Sequence, residues 1–202
     1  MGESILDQPS FLARFDVIVL AAGASRRFPN GNKLIAPYGG RPLISHILRT
    51  VERLDVHRRI IVTGPPYRRD ILAVLRDHPG WHEVFNADAG DGMGASIAAG
   101  AAHLAGSEGV FICPGDMPGM QPLDFHAVAT LSTGAESICR PSFAGQLGHP
   151  VLFGQAYYDH LRTLTGIWGA RGLMDSFASR VVSYEADDAR VVKDFDRPDD
   201  FA

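Results

Sequence analysis

Cysteine is almost absent from this chain: 202 residues contain two. Cys113 and Cys139 lie far apart, with neither metal-ligand spacing nor a disulfide-rich background, so a stapled scaffold is not expected. They read as reduced, buried thiols in a reducing compartment. A long hydrophobic run is also missing: nothing approaches the roughly 18 apolar residues of a membrane span. The first ten residues carry Glu3 and Asp7 and no long apolar stretch, which argues against a signal peptide. Charge of one sign is lacking too, because 19 basic residues face 23 acidic ones for a net charge of -4. No global field would gather a nucleic acid, and any anion must be held locally. The expectation is a cytoplasmic enzyme with neither a nucleic-acid nor a membrane partner. Residues 1–14 would be a loose leader and residues 15–202 a single domain.

What is present is an ordinary globular balance, 46% hydrophobic and 21% charged. Short apolar runs alternate with amphipathic stretches. Strands are expected at Phe15–Ala21, Arg59–Val62, Val84–Asn86 and Val110–Cys113. Helices are expected at Leu43–Leu54, Asp70–Leu75, Ser96–Leu104 and Leu123–Leu131. Repeated strand–helix units imply an α/β fold with a largely parallel sheet covered on both faces. After Gly134 the rhythm changes to a hairpin-like excursion, with strands at Ser137–Arg140 and Pro150–Phe153. Helical patterns at Tyr157–Leu164 and Ala170–Ala178 follow, then strands near Val181–Tyr184 and Val191–Asp194.

In such sheets ligands sit outside the carboxyl ends of the strands, and three loops there carry chemistry. The first strand runs into Leu20-Ala21-Ala22-Gly23-Ala24-Ser25-Arg26-Arg27, closed by Lys33. Small residues let a ligand approach the backbone, loop N–H groups bind phosphate oxygens, and Arg and Lys neutralise charge. The loop fits neither G-x-G-x-x-G nor a Walker loop, and glycine with arginine alone would equally suit a plain strand-to-helix turn. The second is Cys113-Pro114-Gly115-Asp116-Met117-Pro118, which exposes one carboxylate at a strand end. That Asp is either a turn former or a ligand for a hard cation such as Mg²⁺. In the third, Gly92-Met93-Gly94-Ala95-Ser96, the glycines lead into a helix with Ser96 as its N-cap, read either as substrate contact or as close packing.

These segments, with Gly145-Gln146-Leu147-Gly148-His149-Pro150-Val151 and Asp194-Phe195-Asp196-Arg197-Pro198-Asp199, resemble the molybdenum cofactor cytidylyltransferases and related nucleotidyltransferases. The resemblance runs in family order from about Phe15 to Asp200. It implies a three-layer α/β/α nucleotide-diphosphosugar-transferase (GT-A-like) fold and transfer of CMP from CTP to molybdopterin, with release of pyrophosphate. By that resemblance Leu20, Ala21, Ala22, Gly23, Ala24, Ser25, Arg26, Lys33, Gly92 and Ser96 bind the nucleotide. Arg27, Lys33 and Asp116 are catalytic, Asp116 and Asp196 hold Mg²⁺ (Mn²⁺ as the alternative), and His149 and Arg171 face the acceptor. A recipient molybdoenzyme would be a partner. Ala22 matches the cytidylyltransferases, where guanylyltransferase relatives have a second glycine. Rival readings are a GTP-using molybdopterin guanylyltransferase, a sugar- or alcohol-phosphate nucleotidyltransferase, and a non-catalytic cofactor chaperone. Two departures stand out: the stretch from Arg27 to Lys33 is longer by one, and Ile167 replaces an Asp common in relatives.

Overall fold

The computed structural model describes residues 11–25, 28 and 31–201. Its strands are β1 (Phe15–Ala21), β2 (Pro37–Tyr38), β3 (Arg41–Pro42), β4 (Arg58–Thr63), β5 (His82–Phe85), β6 (Gly109–Pro114), β7 (Ile138–Phe143), β8 (Gln146–Leu147), β9 (Val151–Gly154) and β10 (Val181–Glu185). Its α-helices are α1 (Ile44–Glu52), α2 (Arg68–Leu75), α3 (Met93–Ala101), α4 (Pro122–Thr130), α5 (Tyr158–Arg162) and α6 (Arg171–Ser176). An eight-stranded sheet has the order β10-β7-β9-β6-β1-β4-β5, with β8 hairpinned onto β7. β5, β4, β1 and β6 are mutually parallel, β9 runs antiparallel to β6 and β7, and β10 is parallel to β7. β2 and β3 form a small separate hairpin.

β1 is central because nearly every residue of Phe-Asp-Val-Ile-Val-Leu-Ala can be buried, as a strand covered on both faces requires. Val17 and Val19 face a core shared with Ile44, Leu48, Phe111, Phe125 and Val128, under α1 and α4. Ile18 faces the opposite core with Ile60, Ile97, Val110, Ile112 and Leu161, under α3 and α5. The architecture is therefore the α/β/α sandwich expected. Asp16, fully buried at the amino end of β1, accepts bonds from His57, Arg58 and Ser107. That network pins the sheet edge opposite the candidate site.

Three expectations are corrected. Residues 11–14 are not a loose leader: they form a 3₁₀ turn whose Leu12 is fully buried in the first core, and residues 1–10 lie outside the described ones. Ser96 is not an N-cap, because α3 begins at Met93 and Gly92 caps it. Val191–Asp194 is not a strand: Ala189–Val191 is a 3₁₀ turn started by the Asp188 carboxylate, which accepts the Arg190 N–H. Both cysteines are free and buried, and burial pushes both thiols upward, that of Cys139 to about 11. Among the described residues no helix is long and apolar enough to cross a membrane.

Candidate active site

The loop after β1 is closed by side-chain bonds. Ser25, at φ 49°, donates its hydroxyl to Asn32 Oδ1 at 3.2 Å and accepts the Lys33 N–H at 3.2 Å. Asn32 Oδ1 also accepts the Leu34 N–H at 3.0 Å, starting the 3₁₀ turn that carries Lys33. Gly23 and Ala24 are exposed, and a Cβ added at Gly23 would meet nothing within 4 Å, so the backbone there faces open space. Arg26, Arg27, Pro29 and Asn30 lie outside the described residues.

The loop after β6 is drawn against the end of β1. Gly115 donates its N–H to Leu20 O at 2.9 Å, and a Cβ at Gly115 would lie 2.8 Å from that oxygen. Only glycine permits this approach, and Asp116 follows it directly. Lys33 Nζ then lies 2.5 Å from Asp116 Oδ2 and 2.5 Å from Asp196 Oδ1. Asp116, Asp194 and Asp196 each offer an oxygen within 4.8 Å of the others. The tail reaches this place because Phe195 donates its N–H to Asp116 O at 3.0 Å, while its ring is buried against Tyr38 and Phe201. With Phe195 turned inward, its two neighbours face the cluster. Asp194 is the ligand candidate that sequence reasoning passed over in favour of Asp196, although the same alternation signals both.

Among the described residues the cluster sets three carboxylates beside the Lys33 ammonium. Burial would lower the Lys33 pKa, but Asp116 and Asp196 outweigh it and hold it above the ordinary value. Burial and the neighbouring Asp196 and Asp116 charges raise Asp194. Among the described residues, Asp116 Oδ1 and Asn32 Nδ2 are buried and have no hydrogen-bond partner. An orphaned carboxylate oxygen beside two further carboxylates suits a hard divalent cation, whose preferred donors are oxygens.

The glycine-rich segment behaves differently. A Cβ on Gly92, at φ 113°, would lie 2.5 Å from Gly166 O, and one on Gly94 would collide with the Thr165 carbonyl. Gly94 also donates its N–H to Gly166 O at 2.9 Å. These glycines therefore seat the 165–169 loop, which is the close-packing alternative. Ser96 is buried in α3 and accepts a bond from Asn86 Nδ2 at 3.1 Å. Ala22 is buried, and its methyl would stand 3.0 Å from a Cβ on Gly64, beside Ala89. On the far side of β6, His149 Nδ1 lies 3.4 Å from Ile112 O, and its backbone N–H donates to Val191 O at 2.7 Å. Burial and the nearby Arg140 push its pKa down to about 4, so the ring is neutral near neutral pH. Arg171 is exposed, its guanidinium carbon 6.0 Å from the centre of the Trp168 ring. Ile167, Trp168 and Met93 are exposed around it.

The geometry thus joins Ser25, Lys33, Asp116 and Asp196, adds Asp194, and does not bring Gly92, Ser96, His149 or Arg171 into contact with them. Comparison with known proteins agrees on the family. Residues 17–183 match the MobA-like NTP transferase domain. The chain is 30% identical to the purine catabolism protein PucB of Bacillus subtilis over 91% of its own length and 92% of that protein's. In structure it resembles a homologue of Mycobacterium tuberculosis Rv0371c from Mycobacterium sp. strain JC1, with TM-score 0.80 and 25% identity over 94% and 93% of the two chains. It also resembles Rv0371c from Mycobacterium tuberculosis H37Rv in complex with manganese, with TM-score 0.65 and 20% identity over 86% and 89%. With a matched domain spanning most of its length and a lysine–carboxylate cluster at its strand ends, the chain belongs to the MobA-like NTP transferase family.

Proposed function

We propose that the protein transfers CMP from CTP to the terminal phosphate of molybdopterin, releasing pyrophosphate and forming the cytosine dinucleotide cofactor. The observation that carries this is Lys33 held between Asp116 and Asp196 at the mouth of the open Gly23–Ala24 loop. That pairing brings a phosphate-neutralising cation and a cation-binding carboxylate set together. An acceptor phosphate oxygen forms a bond to the α-phosphorus of CTP as the bond to the β-phosphate oxygen breaks. The attacking phosphate is already ionised, so no general base is required.

Transfer then depends on positioning and charge stabilisation. Loop N–H groups from Leu20 to Ser25 cradle the triphosphate, with Arg26, Arg27 and Lys33 meeting its charge and that of the departing pyrophosphate. Asp116, Asp196 and Asp194 would hold Mg²⁺ or Mn²⁺, which when bound neutralises phosphate oxygens. Manganese in the related Rv0371c supports that assignment. Gly92 and Ser96 shape the nucleotide wall through the helix they build, and His149 and Arg171 face the acceptor. CTP rather than GTP is supported by the buried methyl of Ala22, which with half-buried Ala89 crowds Gly64. A methyl-sized difference is worth about 1–3 kcal/mol, enough for a preference. The recipient of the product would be a molybdoenzyme in the cytoplasm.

The test is pyrophosphate release by purified protein offered each of four nucleoside triphosphates with molybdopterin, or with sugar phosphates. CTP with molybdopterin should be fastest by at least 10-fold. Equal rates with GTP overturn the nucleotide choice, turnover of sugar phosphates instead overturns the acceptor, and stoichiometric pterin binding without pyrophosphate makes the protein a carrier.

A further inference from the structure

The three carboxylates of the cluster come from two chain segments, and one ion pair outside the cluster ties those segments together. Asp116 follows β6, and the chain then runs through residues 117–121 into α4, whose third residue is Asp124. Asp194 and Asp196 lie four and six residues beyond Arg190. The Arg190 guanidinium grips the Asp124 carboxylate as a fork: Nε donates to both oxygens at 3.2 Å, and Nη2 to Oδ1 at 3.0 Å. Asp124 is fully buried, and its Oδ2 also accepts the Gln121 N–H at 2.8 Å, which fixes it at the start of α4.

Arg190 also pairs with Asp187 and Asp188, but their side chains are 84% and 57% exposed and they belong to its own turn. An exposed pair is worth little, whereas a buried carboxylate cannot be left without its cation. The bond to Asp124 is therefore the one that holds. The fit around it is close. A Cβ on Gly119 would lie 3.1 Å from Arg190 Cβ, so the loop after Asp116 rests directly on the arginine. Val191, the next residue, is fully buried, and its carbonyl accepts the His149 N–H at 2.7 Å. Further on, Phe195 donates its N–H to Asp116 O at 3.0 Å. The tail is thus fixed at Arg190 and at Phe195, with Asp194 between the two anchors and Asp196 just past the second.

Three carboxylates that offer oxygens within 4.8 Å of one another repel. A tail held at Phe195 alone could turn about that anchor and carry Asp194 and Asp196 away from Asp116. We propose that Arg190 is a positioning residue for a divalent cation: by locking the tail onto α4 through Asp124, it holds Asp194 and Asp196 at their spacing from Asp116. This rests on the reading of the three carboxylates as a cation site, and extends it to a residue that touches neither cation nor substrate. Lysine is no substitute, because a single ammonium has no planar fork to span Asp124 and reach the tail's own turn as well.

The experiment is calorimetric titration of the full chain with Mn²⁺, at a temperature where circular dichroism shows each variant folded. The wild-type chain should bind Mn²⁺. Arg190→Lys and Asp124→Asn should each weaken binding by about 10-fold or more, the usual cost of removing a group that orients metal ligands. Asp187→Asn removes only a partner on the tail's own turn and should leave the affinity within about 2-fold. Gly94→Ala strains α3, on the face of the sheet opposite α4, and should lower the melting temperature without moving the affinity. It separates positioning from a general loss of stability. Asp124 also caps α4, so if Asp124→Asn fails to fold, Arg190→Lys decides alone, because it keeps the carboxylate and a cation beside it. Wild-type affinity in either folded variant, or an equal loss in Gly94→Ala, overturns the positioning role and leaves the cation site standing. Absence of Mn²⁺ binding by the wild-type chain overturns the cation site, and the positioning role with it.

Discussion

Replacing Lys33 by Met should make the protein bind a divalent ion more tightly while making it a slower enzyme. The ammonium bonds both Asp116 and Asp196, so a cation arriving there must displace it. Its pKa is raised, which keeps it charged throughout the working pH range, and deprotonation does not relieve the competition. A unit-charge pair at this depth has a gross attraction of about 4 kcal/mol at 4 Å with an effective dielectric near 20. Desolvation takes back part of it, and hydrogen bonds to charged groups net about 1.5–3 kcal/mol. Removing the competitor should therefore improve Mn²⁺ affinity by roughly 10- to 100-fold. The measurement is calorimetry or spin-resonance titration of nucleotide-free protein with Mn²⁺. Turnover should fall by about 10²–10³, the usual loss when one preorganised charge is removed from a developing oxyanion. An unchanged or weakened Mn²⁺ affinity in Lys33→Met would refute the reasoning, because it would mean the lysine orders the carboxylates rather than occupying their cation position.

Gly94→Ala places a methyl on the Thr165 carbonyl and should cost about 1–3 kcal/mol, read as a lower melting temperature, with the 165–169 loop more open to proteolysis. If the glycine served a nucleotide instead, Tm would hold and only the KM for CTP would rise. His149, neutral in the fold with its pKa near 4 against 6.5 when unperturbed, makes the unfolded chain bind more protons between those values. Its contribution to stability is complete above about pH 6.5 and is lost as pH falls to about 4, amounting to roughly 2 kcal/mol once discounted for partial exposure of the ring. His149→Asn should flatten that limb of the denaturant midpoint against pH, and an unaltered slope would show that other groups carry it.

The central strand was legible because its signal is entirely local. Phe15–Ala21 is apolar enough to be covered on both sides, and the structure gives it those bounds. Ser96 was misplaced because what fixes the start of α3 is not local: Thr165 and Gly166, some 70 residues onward, pack onto Gly92 and Gly94. Small residues before a serine look the same whether a ligand or another loop presses on them. Val191 looks like a strand residue by type, yet Arg190 is anchored on Asp124 and Asp188 caps the turn, two interactions invisible in the spacing. Arg140 closed an expected strand, where an arginine ordinarily faces solvent. Its burial becomes visible only once β9 is found beside β7 and α6 above it.

Strand order explains why the legible part was the chemically decisive one. β1 is followed in sequence by its neighbour β4 on one side, whereas β6, its neighbour on the other side, is reached only after β5 at the far edge. β1 and β6 are parallel neighbours, so the loops that leave them emerge side by side outside their carboxyl ends, where ligands of such sheets sit. Lys33 comes from the loop after β1 and Asp116 from the loop after β6, so their meeting follows from topology as much as from their own contacts. On the β1 side all strands are parallel and the loops are small and glycine-rich, which suits backbone contact with phosphates. On the β6 side the reversed β9 brings a strap, Gly148–His149, back over the sheet edge, and side chains replace backbone as the available donors. Under the proposed reaction the backbone-lined half would hold the nucleotide and the side-chain-lined half the acceptor.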